Sequence, residues 1–280
     1  MHGLMMNTPL LISSIAKHAE AYHASREIVS VTGDNPLHRC TIGDVVRRSR
    51  QLANVLHNLG VKHGERIGTI AWNDYRHLEL YDGVSGAGFV CHTINPRLFA
   101  EQIIFIINHA EDRFIFVDPM FVPLLEAVSD HIGNVEGFIV LTDEANMPTT
   151  KLDNVMCYET LVAAQSDEYE WPELDESTAS ALCYTSGTTG DPKGVLYDHR
   201  STVLHAYACV APDALDLSSR DNVLPVVPLF HANAWGIAYA ALMVGSKLVF
   251  PGPKMGDGEA LCQMILSEDV SLAMGVPTVW

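Results

Sequence analysis

Positive charge is scarce in this sequence. Its 280 residues carry 17 Lys and Arg against 34 Asp and Glu, a formal net charge of −17. Nucleic-acid binders present a basic face to phosphates, so that class of partner is not expected. Any anionic ligand must be met by a few local cations. The cysteines at 40, 91, 157, 183, 209 and 262 form no C-x-x-C pair, which fits reduced thiols in a cytoplasmic protein better than a disulfide scaffold. Residues 1–16 contain no Lys or Arg, so a secretory signal with a cationic start is not supported. Long apolar runs are missing too. Asn222–Ser246 carries no charge, but Pro225, Pro228, His231 and Asn233 interrupt it. Its clean part, Ala234–Val244, falls short of the ~20 residues that span a bilayer. Thirteen histidines include no H-x-x-x-H or H-E-x-x-H spacing, so no dedicated zinc site is expected. The G-x-S-x-G elbow of serine hydrolases is also absent.

What is present is a globular composition, 48% hydrophobic and 18% charged, in a chain long enough for one large domain or two. Within it, Tyr184-Thr185-Ser186-Gly187-Thr188-Thr189-Gly190-Asp191-Pro192-Lys193-Gly194-Val195 stands out. An apolar run, Ala179–Cys183, precedes it and reads as a buried strand; Val195-Leu196-Tyr197 resumes a strand pattern. Between them, hydroxyls, glycines and one lysine can turn N–H groups and a mobile cation toward one point, a nest for an anion such as polyphosphate. The Walker loop does not fit: Pro192 stands where it needs glycine, and Gly194 where it needs the magnesium-binding hydroxyl. A polar surface loop is the plain alternative, since these residue types are common loop formers.

The rest of the chain alternates. Leu10–Ala24 has helical spacing; Glu27–Val31 and His38–Thr41 flank a Gly33-Asp34-Asn35-Pro36 turn as a hairpin. Thr41 with Asp44 forms a capping-box pattern for a helix that runs toward Gly60. Strands are expected at 66–72, 88–94, 113–117 and 137–141, with helices at 75–87, 101–110 and 122–131 between them. This is the spacing of parallel strands covered by helices. Residues 143–175, with Pro148, Pro172 and many acids, read as a solvated connection. Helices at 199–210, 236–244 and 258–267 and strands at 222–227, 247–250 and 270–274 complete the pattern. The expected fold class is α/β, with parallel-rich sheets flanked by helices in two subdomains, 1–175 and 176–280.

A second run, Pro225-Val226-Val227-Pro228-Leu229-Phe230-His231-Ala232-Asn233-Ala234-Trp235, leaves a strand and enters a helix. The end of a strand is where α/β folds place ligands, although a histidine beside Phe and Trp is more often structural.

Together the two runs resemble the adenylate-forming superfamily (acyl-CoA synthetases, luciferases and peptide-synthetase adenylation domains), and fatty acyl-CoA synthetases most of all. The resemblance implies a ligase that activates a carboxylic acid with ATP as acyl-AMP and passes the acyl group to coenzyme A. It implies that Thr185, Ser186, Gly187, Thr188, Thr189, Gly190 and Lys193 hold ATP phosphates, with Thr185 on Mg2+. His231 would lie between acid and α-phosphate, Lys193 and His231 being the catalytic candidates. Trp235 would gate a hydrophobic tunnel, and Gly275, Val276 and Pro277 would line the acyl pocket. It also implies a homodimer. Fatty acids lead as substrates, with short substituted acids behind them.

The resemblance spans the chain but only the first part of the family's usual length. Pro277 has the character of a first helical position, and the sequence halts at Trp280. The expectation is therefore a truncated ligase, inactive alone, whose adenine-binding motif, hinge and adenylation lysine lie elsewhere. A non-catalytic module with weak nucleotide binding is the competing reading, and a P-loop nucleotide hydrolase the third.

Overall fold

The computed structural model describes every residue except His2, residues 186–190 and Trp280. Helix α1 (Ile12–His23) turns Ile12, Ile15, Ala16 and Ala19 inward. Strands β1 (Glu27–Ser30) and β2 (His38–Thr41) form the expected antiparallel hairpin. Helix α2 (Ile42–Asn58) opens on a true capping box, Thr41 accepting from the Asp44 N–H while Asp44 accepts from the Thr41 N–H. It ends beside Gly60, whose φ of +74° suits glycine. Then come β3 (Arg66–Ile70), α3 (Tyr75–Gly86), β4 (Val90–Thr93), α4 (Ala100–Ala110), β5 (Asp112–Val117), α5 (Val122–Val128) and β6 (Gly137–Val140). The helix expected to reach 131 tightens into a 3-10 turn, Ser129–His131.

Residues 143–175 are largely at the surface, as expected from their acids, but they are not merely a connection. They contain β7 (Val155–Cys157), parallel to β6, and α6 (Tyr158–Ala163), with Tyr158 fully buried. Both elements are too short for periodicity to register, and one of their acids, Glu159, is neutralised by Arg48 and Arg76. Beyond lie β8 (Ala179–Tyr184), β9 (Gly194–Asp198), α7 (His199–Cys209), β10 (Asn222–Pro225), α8 (Ile237–Val244), β11 (Lys247–Phe250), α9 (Gly258–Ser267) and β12 (Leu272–Met274).

Two sheets result. One has the order β7-β6-β5-β3-β4-β8-β9, parallel except for β9; the other runs β12-β10-β11-β1-β2, parallel except for β2. Sheet membership does not follow the 1–175 and 176–280 division: β1 and β2 join the later strands, while β8 and β9 extend the earlier sheet.

Helix α3 is buried along its whole length despite its polar sequence. Burial of polar groups is tolerable only when each finds a partner. Arg76 pairs with Asp34 at 2.9 Å and Glu159 at 2.8 Å. Glu79 accepts from Arg48 Nε and Tyr158 Oη, both at 2.6 Å. His77 lies between the Trp72 carbonyl at 3.0 Å and Thr69 Oγ1 at 3.1 Å, and burial lowers its pKa to about 4. Ser85 donates to the Ser180 carbonyl. Asp82 is the exception: neither carboxyl oxygen has a hydrogen-bond partner among the described residues. Burial raises its pKa to about 8.

Asp82 therefore makes stability depend on pH. The folded Asp82 keeps a proton that the unfolded chain gives up near pH 3.8, so its contribution is full below that pH and is lost as pH rises toward about 8. Burial lowers His77 and His199 to about 4, and each acts oppositely, losing stability as pH falls below 6.5. Above pH 6.5 only the Asp82 trend of these remains. Asp82→Asn should therefore raise stability at pH 8 by at least about 1 kcal/mol, and flatten the decline between pH 6.5 and 8, as read by urea denaturation. Parallel curves for the two proteins would contradict this assignment.

Candidate active site

The hydroxyl-rich stretch joins β8 to β9. Tyr184 pairs with Gly194, and the Thr185 N–H donates to the Lys193 carbonyl at 3.0 Å, closing the hairpin. Thr185 and Lys193 are exposed while Pro192 is buried. Ser186, Gly187, Thr188, Thr189 and Gly190 lie outside the described residues. The hairpin leaves the C-terminal end of β8, whose neighbour β4 runs parallel to it, the edge at which α/β sheets bind ligands. At its root, Tyr184 Oη lies 2.6 Å from His109 Nδ1.

The second run leaves β10. The Val226 and Val227 N–H groups both donate to the Met274 carbonyl, at 2.7 and 2.9 Å. Asn73, directly after β3 in the other sheet, holds the continuation. Its Nδ2 donates to the carbonyls of Pro225 at 2.9 Å and Val227 at 2.8 Å, and its Oδ1 accepts from the Leu229 N–H at 2.7 Å. Tyr81 Oη donates to the Leu229 carbonyl at 2.5 Å. Phe230 is buried against Trp72, and the Arg97 guanidinium lies 5.8 Å from both rings. His231 is exposed.

The chain does not enter a right-handed helix directly after His231. Ala232, Asn233, Ala234, Trp235 and Gly236 have φ of 45°, 49°, 46°, 56° and 75°, a left-handed turn. Each non-glycine residue in that region costs about 1–2 kcal/mol, so contacts must offset it. The Asn233 side-chain amide lies 3.2 Å from Tyr81 Oη, and Ala234 is fully buried. The Trp235 carbonyl accepts from His205 Nε2 at 3.1 Å and Cys209 Sγ at 3.5 Å. Only at Ile237 does α8 begin.

This turn, α7 and β9 enclose a cavity of about 500 Å³. Tyr197 lines it from the hydroxyl-rich hairpin, Ser201, Thr202 and His205 from α7, Asn233 and Trp235 from the turn. Trp235 is 45% exposed, so its indole sits at the cavity surface, outside the core. His231 directly precedes Ala232, another lining residue, but is not itself in the lining. Gly275, Val276 and Pro277 come after β12 and do not line the cavity either. Sequence reasoning passed over Asn73, Tyr81 and His205. Position just beyond β3 was a usable signal for Asn73; nothing in the spacing marked His205. Among the described residues, no group of three or more His, Cys, Asp or Glu could hold a metal ion, and no helix is long and apolar enough to cross a membrane.

The sequence profile described as AMP-binding enzyme matches residues 15–280. The medium-chain-fatty-acid–CoA ligase of Ectopseudomonas oleovorans is 50% identical over 100% of this chain, which covers 51% of that protein. The 3-methylmercaptopropionyl-CoA ligase of Ruegeria lacuscaerulensis is also 50% identical over the whole chain, with 52% of that protein covered. The chain thus spans about half the length of the curated relatives it matches. Among solved structures, the anthranilate CoA ligase AuaEII in complex with anthranoyl-AMP superposes with a TM-score of 0.85 at 21% identity, covering 100% of this chain and 52% of that one. A fatty acyl CoA synthetase of Mycobacterium tuberculosis gives 0.79 at 21% identity, with 96% and 50% covered. These likenesses share the fold.

Loss of the Asn73 clamp should be costly. Asn73→Ala leaves buried carbonyls and an N–H unpaired, at about 1–3 kcal/mol each, so the variant should lose about 3 kcal/mol or more. Urea denaturation reads the loss; a change below about 1 kcal/mol would mean that water replaces the amide.

Proposed function

This chain belongs to the AMP-binding enzyme family, and on that premise we propose that it carries the phosphate-handling and acid-binding parts of an ATP-dependent acid–thiol ligase. The observation that supports this most is the shared cavity: β9 of the hydroxyl-rich hairpin and the Trp235 turn, far apart in sequence, line one space. In the proposed reaction a carboxylate oxygen attacks the α-phosphorus of ATP and pyrophosphate leaves, giving acyl-AMP. The thiol of coenzyme A then attacks the acyl carbon, and AMP leaves.

Carboxylate and triphosphate are both anions, so the site must neutralise charge and hold them in line. In a chain of net charge −17, Lys193 is the local cation for this, exposed at the mouth of the hairpin. Thr185 and Ser186–Gly190 would cradle the phosphates. Thr185 presents an exposed hydroxyl that suits Mg2+, an oxygen-seeking ion which, when bound, offsets phosphate charge. His231, exposed beside the cavity, would orient the carboxylate. Trp235 would control entry to the cavity, and Gly275, Val276 and Pro277 would contribute a wall of the acyl site.

Medium-chain fatty acids and short thioether acids are both reasonable substrates, because relatives named for each are equally similar. We further propose a cytoplasmic protein that forms homodimers and does not bind nucleic acid.

Two variants of the full-length enzyme test the reading. Lys193→Ala should lower kcat/KM for acid-dependent pyrophosphate release by about 100-fold. Trp235→Ala should change the ratio of kcat/KM between hexanoate and dodecanoate by about tenfold or more, with the KM for ATP changed less than about twofold. Pyrophosphate release that needs no carboxylic acid would contradict the ligase reading. Unchanged chain-length selectivity would reduce Trp235 to packing.

A further inference from the structure

The left-handed turn Ala232–Gly236 places Trp235 on the cavity surface; Asn233 and Gly236 tolerate that conformation, but Ala232, Ala234 and Trp235 do not favour it. The two alanines and the tryptophan would all relax readily to the right-handed region. The conformation must therefore be held from outside, and the structure contains the holding groups. Asn233 is tied at one end by Tyr81. At the other end the Trp235 carbonyl is tied to α7 by His205 Nε2 and Cys209 Sγ. A carbonyl can only accept, so Nε2 carries the proton of this bond.

We propose that His205 is a positioning residue for Trp235, and through it sets which acids the cavity admits. Three observations converge on this side chain. It makes the shorter of the two bonds to the Trp235 carbonyl, 3.1 Å against 3.5 Å. Its ring also packs against the turn's last residue so closely that a Cβ on Gly236 would lie 2.5 Å from His205 Cδ2. And it lines the same cavity as Trp235, so an acyl chain that enters must touch the latch and the gate together. Cys209 supplies the weaker second bond, and burial keeps it a thiol, raising its pKa. The imidazole is thus the stronger tether, and it is the one within reach of ligand.

The specificity part rests on the ligase reading above; the positioning part does not. Because His205 is an exposed position on α7, its replacement should not endanger folding. Amide hydrogen exchange on the 280-residue chain tests the positioning part directly. His205→Ala should speed exchange at Trp235, Gly236 and Ile237 by about fivefold or more, while exchange in α2 and β3 stays as in the parent. His205→Gln, which returns a side-chain N–H at similar reach, should restore most of the protection. Equal protection in all three proteins would overturn the proposal. So would loss in both variants alike, since that would make the imidazole ring, and not its bond, the structural element. If His205→Ala destabilises the whole chain, His205→Gln is compared with His205→Met, which is similar in volume and lacks the donor. Greater protection in the Gln variant then supports the bond, and equal protection overturns it.

In the full-length enzyme, His205→Ala should shift KM for dodecanoate relative to hexanoate and leave KM for ATP unchanged, with His205→Gln in between. Unchanged acid selectivity with faster exchange would overturn the specificity part alone. Absence of any acid-dependent turnover in the parent would instead count against the ligase reading, and the exchange result would still stand.

Discussion

The amide of Asn73 is where the two sheets become one site. It sits just beyond β3, in the seven-stranded sheet, and commits both ends of its side chain to the backbone that leaves β10 in the five-stranded sheet. Its neutral amide supplies two N–H donors and one acceptor oxygen, the set these three backbone groups require. The position is fully buried, so water cannot stand in cheaply for either half. Val226–Leu229 consequently has a single path, and the Phe230, His231 and Trp235 beyond it inherit that path. Tyr81 repeats the arrangement one layer out, binding the Leu229 carbonyl and Asn233 with the same hydroxyl. Candidate site side chains on a loop are thus positioned by polar contacts from a helix and a strand end that belong to the core.

The same constraint explains the character of α3. A helix lying between layers of the structure would ordinarily be apolar all round. Here it is polar, and Arg76, Glu79, His77 and Ser85 each reach a partner on a different element. Such a network fixes relative positions more firmly than interchangeable apolar contacts do, provided its members are satisfied. Asp82 breaks the rule by remaining unpartnered among the described residues, and burial raises its pKa. The strained turn at Ala232–Gly236 is a second departure from local preference. It lies on the cavity, where departures are expected to cluster.

Much of the fold was legible in the sequence because it is written in local signals. The Thr41–Asp44 box, the Gly33–Pro36 turn and the strand expected at 137–141 all reappear as a cap, a hairpin and a buried strand. Within 143–175 the strand and helix at 155–163 left no signal, because both are too short for periodicity and the charges around them suggested solvent. In fact Glu159 is answered by Arg48 and Arg76, more than eighty residues away in the chain. The sheet assignment of β1 and β8 was hidden for a similar reason: register between distant strands leaves no mark in either one alone. At the candidate site, Trp235 announced itself through a motif, whereas Asn73 and His205 act through single side chains with no pattern around them. The left-handed turn was invisible, since Ala232, Ala234 and Trp235 favour the right-handed region and tertiary contacts overrule them.

The central claim is that the hairpin at Thr185–Lys193 and the cavity behind Trp235 are two parts of one acid-activating site. A crystal structure of the protein with an octanoyl-sulfamoyl adenosine, a stable mimic of acyl-AMP, tests it most directly. The account predicts the sulfamoyl group beside His231 and the hairpin, with the octanoyl chain passing Trp235 into the space lined by Tyr197, Ser201 and His205. An acyl chain bound elsewhere, with this cavity left empty, would contradict it.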